Sequence, residues 1–318
     1  MTPIGRRKLL ASLPVASLVG TSAAAEQMKV TLGLGEATGG FAAYAATLVD
    51  AIRAVDPTFE IKAVPTKGIP ENVAMLESGD LDIGLVFGEV AYELFKGIGR
   101  SPTRLKVISV MYSTPVMFVV RADSRYRRIG DLKDHPIVWN GRNSNLAVQA
   151  RYVMDGLGLN IDEDFQAIYT DQLSEGPQMV IDGQAAALWG IGNRWPGFVE
   201  VANNARGARF VVPSADQIAH IHAKHGFLTG LTVPAGLYRG QYDAIYTIGG
   251  WNFILARADL DDPVGYRLAS SLYKIDRAGA LSRQLTETTA KNTLAAIPGP
   301  EFLQPGVARF YMKMDLLK

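Results

Sequence analysis

Val30–Tyr44 reads VTLGLGEATGGFAAY. The β-branched, apolar run Val30-Thr31-Leu32 predicts a strand, and the glycines at 33, 35, 39 and 40 predict a turn. Ala45, Ala46, Leu48, Val49 and Ile52 then recur at helical spacing. Strand, glycine turn and helix leave backbone N–H groups unpaired at a helix N-terminus. With the helix dipole, those groups suit an anion or a carboxylate. Thr38 adds a hydroxyl that can cap the helix or touch a ligand. A dinucleotide fingerprint needs a third glycine where Thr38 stands, and a Walker loop needs a lysine where Phe41 stands. Glu36 in the same turn would repel a polyphosphate. The loop alone is also compatible with a plain βα turn whose glycines serve only its sharp geometry.

The rest of the chain repeats this alternation, which predicts an α/β fold. Strands are expected at Phe59–Val64, Leu81–Phe87, Lys106–Tyr112, Pro115–Arg121, Pro136–Trp139, Phe165–Tyr169, Ala185–Trp189, Arg209–Val212 and Ala244–Arg257. Helices are expected at Pro70–Ser78, Val90–Lys96, Leu146–Leu157, Pro177–Asp182, Phe198–Asn203, Asp216–His225, Pro263–Tyr273 and Gly279–Thr288. Two blocks emerge, with extended crossings near Ser113–Val119 and Tyr246–Ala256. Residues 26–116 with 248–318 are read as one lobe and 117–247 as the other. Two lobes joined by extended crossings form a hinge, and the cleft between them is a natural small-molecule site.

The composition excludes several classes. Hydrophobic residues make up 48% and charged residues 20% of 318, ordinary for a globular protein, and the formal net charge of +1 gives no reason to expect nucleic acid as a partner. Arg6, Arg7 and Lys8, the apolar run from Leu9 to Gly20, and Ala23-Ala24-Ala25 together predict a secretory signal peptide over residues 1–25. The route is expected to be Sec, although Arg6-Arg7 followed by Leu9-Leu10 also permits the twin-arginine route. The absence of cysteine excludes disulfides, thiolate metal sites, a cysteine nucleophile and a lipid-modified cysteine. A periplasmic location is the expectation.

Taken together, the segments resemble one family, the TAXI receptors of TRAP transporters (tripartite ATP-independent periplasmic transporters). Ala37-Thr38-Gly39-Gly40 is similar to that family's Thr-Gly-Gly turn. Glu71-Asn72, Leu76 and Ser78–Val86 resemble its second conserved stretch, continued by Val90-Ala91-Tyr92. Val119–Ser124 followed by Ile129, Asp131, Leu132 and Lys133 looks like its crossing into the second lobe. Val233-Pro234-Ala235-Gly236, Tyr238 and Gly240-Gln241 form the most specific piece. Pro298, Pro305-Gly306, Ala308 and Phe310-Tyr311 resemble its closing segment. The resemblance implies a two-lobed periplasmic-binding-protein (type II-like) fold, α/β throughout. It implies a receptor, not an enzyme, that closes on a small organic acid and delivers it to the small and large permease components of a TRAP transporter. No cofactor is implied.

Departures fall where that family binds its ligand. Phe87, Gly88 and Glu89 replace a common Gln-Ser-Asp, and Gly141-Arg142-Asn143-Ser144-Asn145 replaces a Gly-Ser-Gly-Thr-type turn. Trp189-Gly190 stands where small or polar residues are common. Candidate ligand contacts are therefore Thr38, Gly39, Gly40, Phe41, Tyr44, Phe87, Gly88 and Glu89 from the first lobe. Arg142, Asn143, Ser144, Asn145, Trp189 and Gly190 are the candidates from the second. Ser144 and Asn145 can cap a helix and donate to a carboxylate, and Arg142 either clamps that carboxylate or faces water. Phe87, Trp139 and Trp189 end strands, where α/β clefts bind ligands, so each either walls the pocket or packs in the core. The ligand is expected to have an apolar or aromatic body.

Other chemistry finds little support. His220, His222 and His225 offer no recognisable metal pattern, and no G-x-S-x-G elbow occurs. A same-fold receptor for an ATP-driven (ABC) importer or a sensor kinase is the nearest rival, and a periplasmic hydrolase is the rival of another class.

Overall fold

The computed structural model describes residues 27–37, 40–279 and 284–318. The expected signal peptide lies outside them, as do Thr38, Gly39 and part of the helix expected at Gly279–Thr288, of which residues 284–287 are described as turn. In chain order the elements are β1 (Met28–Gly35), α1 (Gly40–Val55), β2 (Phe59–Pro65), α2 (Ile69–Ser78), β3 (Ile83–Val86) and α3 (Gly88–Lys96). There follow β4 (Lys106–Arg121), β5 (Pro136–Val138), α4 (Asn145–Gly156), β6 (Gln166–Ile168), α5 (Glu175–Ile181) and β7 (Ala187–Ile191). Next come α6 (Pro196–Asn203), β8 (Ala208–Val211), α7 (Ala215–Lys224) and β9 (Thr229–Val233). The chain closes with β10 (Ile245–Ala256), α8 (Asp262–Ala278), α9 (Ala290–Ala296) and α10 (Pro305–Lys313).

The fold is α/β, and the strands join in the order β2-β1-β3-β10-β4-β7-β5-β6, with β8 beside β4 and β9 beside β10. Two long strands carry the sheet from one lobe to the other. Residues Lys106–Pro115 of β4 pair antiparallel with β10, whereas Val116–Arg121 pair with β7 and β8. β10 pairs with β3 over Phe253–Ala256 and with β9 over Ile245–Gly249. Buried side chains divide the same way. One core cluster draws on residues 30–111 and 253–311, and two others on 116–248.

Sequence reading gives two strands around Ser113-Thr114, but β4 is one strand of 16 residues. The polar pair is accommodated by a partner from outside the sheet. The Glu287 carboxylate accepts from the Ser113 N–H at 2.7 Å and from its hydroxyl at 2.9 Å. β4 and β10 approach each other closely where both change partner. A Cβ on Gly249 would stand 2.2 Å from the Thr114 carbonyl oxygen, so only glycine lets the two backbones approach. Gly249→Ala must push them apart. Overpacking of this kind costs about 1–3 kcal/mol, and thermal denaturation should show a lowered Tm.

The opening glycine turn has a packing reason. A Cβ on Gly33 would meet Leu81 at 2.5 Å and Asn72 at 2.7 Å. Buried Asn72 occupies that space, donating to the carbonyls of Gly33 (3.3 Å) and Leu85 (3.0 Å) and accepting from the Thr66 hydroxyl (2.7 Å). It ties β1 to β3 and fixes the edge from which α1 and α3 start.

Candidate functional site

In parallel α/β sheets the helix N-termini gather at the strand C-terminal ends, and ligands bind there. On the first lobe that edge carries an aromatic wall. Phe41 lies in the first turn of α1, Phe87 caps the start of α3, and Tyr112 projects from β4. The Phe41 and Phe87 rings are 4.7 Å apart, and Phe41 and Tyr112 meet edge-on at 6.4 Å. The Tyr112 hydroxyl stands 3.7 Å from where a Gly40 Cβ would lie, beside the N-terminus of α1. It is hydrogen-bonded to Asn252, and burial pushes it up to about 12. Tyr44 supports this wall from behind. It is 1% exposed, shares a 2.8 Å hydrogen bond with Thr288, and packs against Tyr112 at 5.7 Å.

Gly88 admits no side chain, since a Cβ there would stand 2.3 Å from the Trp251 carbonyl oxygen. Its N–H donates to Asn252 Oδ1 at 3.3 Å. Glu89, next along, is 3% exposed, and its Oε1 has no hydrogen-bond partner among the described residues. Burial pushes this carboxyl up to about 7, opposed by its own backbone N–H and helped by the charge of Glu93.

The second lobe presents the turn between β5 and α4. Asn140 is fully buried with φ +63°, a left-handed conformation that asparagine tolerates. Its Nδ2 donates to the Trp189 carbonyl at 2.8 Å, and its carbonyl accepts from the Thr170 N–H at 3.2 Å. Ser144 caps α4, its Oγ accepting from Ala147 N–H at 3.3 Å and donating to the Gly141 carbonyl at 2.6 Å. Asn143 is exposed and Asn145 half-buried.

Three expected contacts are placed elsewhere. Arg142 is turned onto Tyr169, with its guanidinium carbon 3.8 Å from the ring centroid, and is paired with Asp162 at 3.3 Å. It is not a free clamp. Trp189 sits in mid-strand, 1% exposed between Phe118 and Trp139, with Nε1 donating to the Leu146 carbonyl at 2.9 Å. Gly190 makes room for Trp195 and Phe198, whose rings a Cβ would meet at 2.6 and 2.7 Å. These two build the core of the second lobe.

Sequence reasoning passed over the contacts by which the lobes touch. Tyr152 of α4 donates to Glu93 Oε1 of α3 at 2.7 Å. Tyr92 stacks on Phe227 at 4.4 Å, and Tyr152 meets Phe227 edge-on at 5.2 Å. Gln149 Nε2 donates to the Thr114 hydroxyl at 3.1 Å. Gln149 and Tyr152 stand three apart on one face of α4, a helical spacing visible in sequence only once the two helices are known to meet. Two pockets, of about 120 and 340 Å³, are each lined from residues 121–246 alone and do not lie between the lobes.

His225 pairs with Asp155 at 2.6 Å, and His222 Nδ1 lies 2.7 Å from the Leu228 carbonyl. Among the described residues no group of His, Asp and Glu could hold a metal, and no helix is long and apolar enough to cross a membrane.

Comparison with solved structures shows the same fold. One is a putative periplasmic sulfonate-binding protein of an ABC transporter from Methylobacillus flagellatus KT, with TM-score 0.57 at 13% identity over 92% of this chain and 96% of that one. Another is a probable amino-acid ABC transporter extracellular-binding protein from Bacillus subtilis, with TM-score 0.50 at 13% identity over 86% and 98%. The fold is thus that of periplasmic solute-binding proteins. The family profile matched spans residues 33–313, nearly all of the described chain, and this protein belongs to the NMT1-like family.

Proposed function

We propose that this protein is an extracytoplasmic solute receptor that captures a small organic acid between its lobes. The lobes are taken as 26–116 with 248–318, and 117–247. Their hinge is the pair β4 and β10. The observation that carries this reading is the aromatic wall of Phe41, Phe87 and Tyr112 beside the N-termini of α1 and α3, on a lobe joined by two strands to the capped N-terminus of α4. Backbone N–H groups at Gly40, with Ser144 and Asn145, hold the carboxylate. Phe41 and Phe87 take an apolar or aromatic body. Closure follows because these contacts exist together only when the lobes meet.

Delivery to the membrane subunits of a TRAP transporter is the partner reading, resting on the resemblance to TAXI receptors. Service to an ABC importer is the second reading, because both structural neighbours above are named as ABC-transporter proteins. Uptake by the reconstituted system separates them. An ion gradient without ATP drives the first, and ATP drives the second.

A melting-temperature screen of purified protein against dicarboxylates, amino acids and aromatic acids tests the ligand class. A ligand at one hundred times its Kd stabilises by about 2.7 kcal/mol, which raises Tm by several degrees. Aromatic and apolar acids are expected to do so. Preference for glutamate over every apolar acid would overturn the assignment.

A further inference from the structure

Of the six buried side-chain polar atoms without a partner among the described residues, four are oxygens of Glu89, Gln149, Asn140 and Thr170. Glu89 Oε1 stands at the start of α3, and Gln149 Oε1 on the face of α4 that carries Tyr152. Asn140 Oδ1 and Thr170 Oγ1 belong to the loops that follow β5 and β6, which are joined by the Thr170 N–H donating to the Asn140 main-chain carbonyl. Their residues are 3%, 1%, 0% and 7% exposed. The helix that Glu89 begins meets α4 of the second lobe one turn further on, where Glu93 accepts from the Tyr152 hydroxyl at 2.7 Å. Among the described residues Glu89 has no ion-pair partner, and the arginine nearest in sequence to the α4 turn is held by Asp162 and Tyr169. Buried acceptors are costly to leave unpaired, and native structures rarely keep several together without a reason.

From this juxtaposition of an unpartnered Glu89 on one lobe and unpartnered acceptor oxygens on the other, we propose that the ligand carries a hydrogen-bond donor, an amino or hydroxyl group, which Glu89 reads. The inference rests on the receptor reading above and narrows it to acids bearing such a donor. Glu89 then sets specificity. A ligand without the donor leaves a buried carboxyl unpaired, which is how polar sites reject analogues that lack one hydrogen-bonding group. The raised carboxyl fits the same picture, because it is poised to accept from a donor or to share its own proton with one.

The test uses benzoate and phenylacetate, each with its 4-amino and 4-hydroxy derivatives, and aniline and phenol as members without a carboxylate. Dissociation constants are measured calorimetrically for the mature wild-type protein and for Glu89→Met, which keeps the volume and removes the acceptor. At least one donor-bearing acid should bind tenfold or more tighter than its parent, and Glu89→Met should remove most of that difference. Whether amino or hydroxyl derivatives gain identifies the donor. Equal affinity of parent and derivatives in the wild-type protein would overturn the inference while leaving the receptor reading intact, and this arm stands even if the variant does not fold. Binding of aniline or phenol, with none of the acids bound, would support the inference and remove the carboxylate from the proposed function. No binding by any member would sink both.

Discussion

Glu89→Gln should flatten the pH dependence of this protein's stability between about pH 4.5 and 7. In the folded chain the Glu89 carboxyl keeps its proton up to about 7, whereas in the unfolded chain it releases it near the ordinary 4.5. Through that window the folded state holds one proton more than the unfolded state, so stability falls as pH rises. The separation of the two values corresponds to a loss on the order of 3 kcal/mol by pH 7 in the ligand-free protein. Glutamine fills the same space without a charge to bury, so the variant should lose none of it. Denaturant unfolding of both proteins at pH 5 and pH 7.5 makes the comparison. Parallel behaviour of the two would show that Glu89 is solvated or paired. A basic ligand partner would act on the same group in the opposite direction, stabilising the charged form and restoring stability at neutral pH.

Trp189→Ala should lower stability by about 3–5 kcal/mol, the range for deleting a buried aromatic side chain. The indole is enclosed by Phe118 at 5.0 Å and Trp139 at 5.9 Å, and its N–H ties β7 to the first turn of α4. A cavity there unsettles the turn that presents Ser144, so a drop in Tm of roughly 10 °C should come first, and any change in ligand affinity should follow from it. Phe87→Ala is the counterpart, since Phe87 is only partly buried at the lobe edge. If Trp189→Ala kept its Tm and lost only binding, the ring would belong to the cleft after all.

The contrast between these two rings shows what the sequence can and cannot specify. Alternation of β-branched runs with helical spacing is local, so the order of strands and helices from β1 to β8 can be read directly, apart from the break placed inside β4. Register is not local. Strand β7 runs Ala187–Ile191, two residues later than its apolar pattern suggests, and this moves Trp189 from a strand end to mid-strand. Phe87 keeps its place because Gly88 must pack against Trp251, which starts α3 at once. Strand β9 goes unseen because Thr229–Val233 includes a glycine and is short, and its pairing partner in β10 lies beyond a long loop.

The segments most specific to the family resemblance serve the fold. Gln241 closes the Pro-Ala-Gly loop by donating to the carbonyls of Pro234 (2.9 Å) and Asp243 (2.7 Å) and accepting from Leu237 N–H (3.1 Å). Asn72 ties two strands together in the same manner. Residues at the lobe edges are the ones that depart from the family pattern, so a resemblance carried by the scaffold leaves the ligand to be found from Phe41, Phe87, Glu89 and the α4 turn. Arg142 illustrates the difficulty. An arginine in a glycine turn invites a carboxylate, but the Tyr169 face and Asp162, both brought near only by the fold, take its charge instead.

Closure of the two lobes on a bound acid is measured most directly as a distance across the cleft. The chain has no cysteine, so Lys67→Cys and Gln172→Cys, exposed after β2 and β6, can carry a pair of spin labels without competing thiols. Saturating the doubly labelled protein with the tightest acid from the screen should collapse the distance distribution to a single, shorter and narrower population. A distribution unchanged by saturating ligand would contradict hinge closure, and with it the receptor mechanism drawn from this fold.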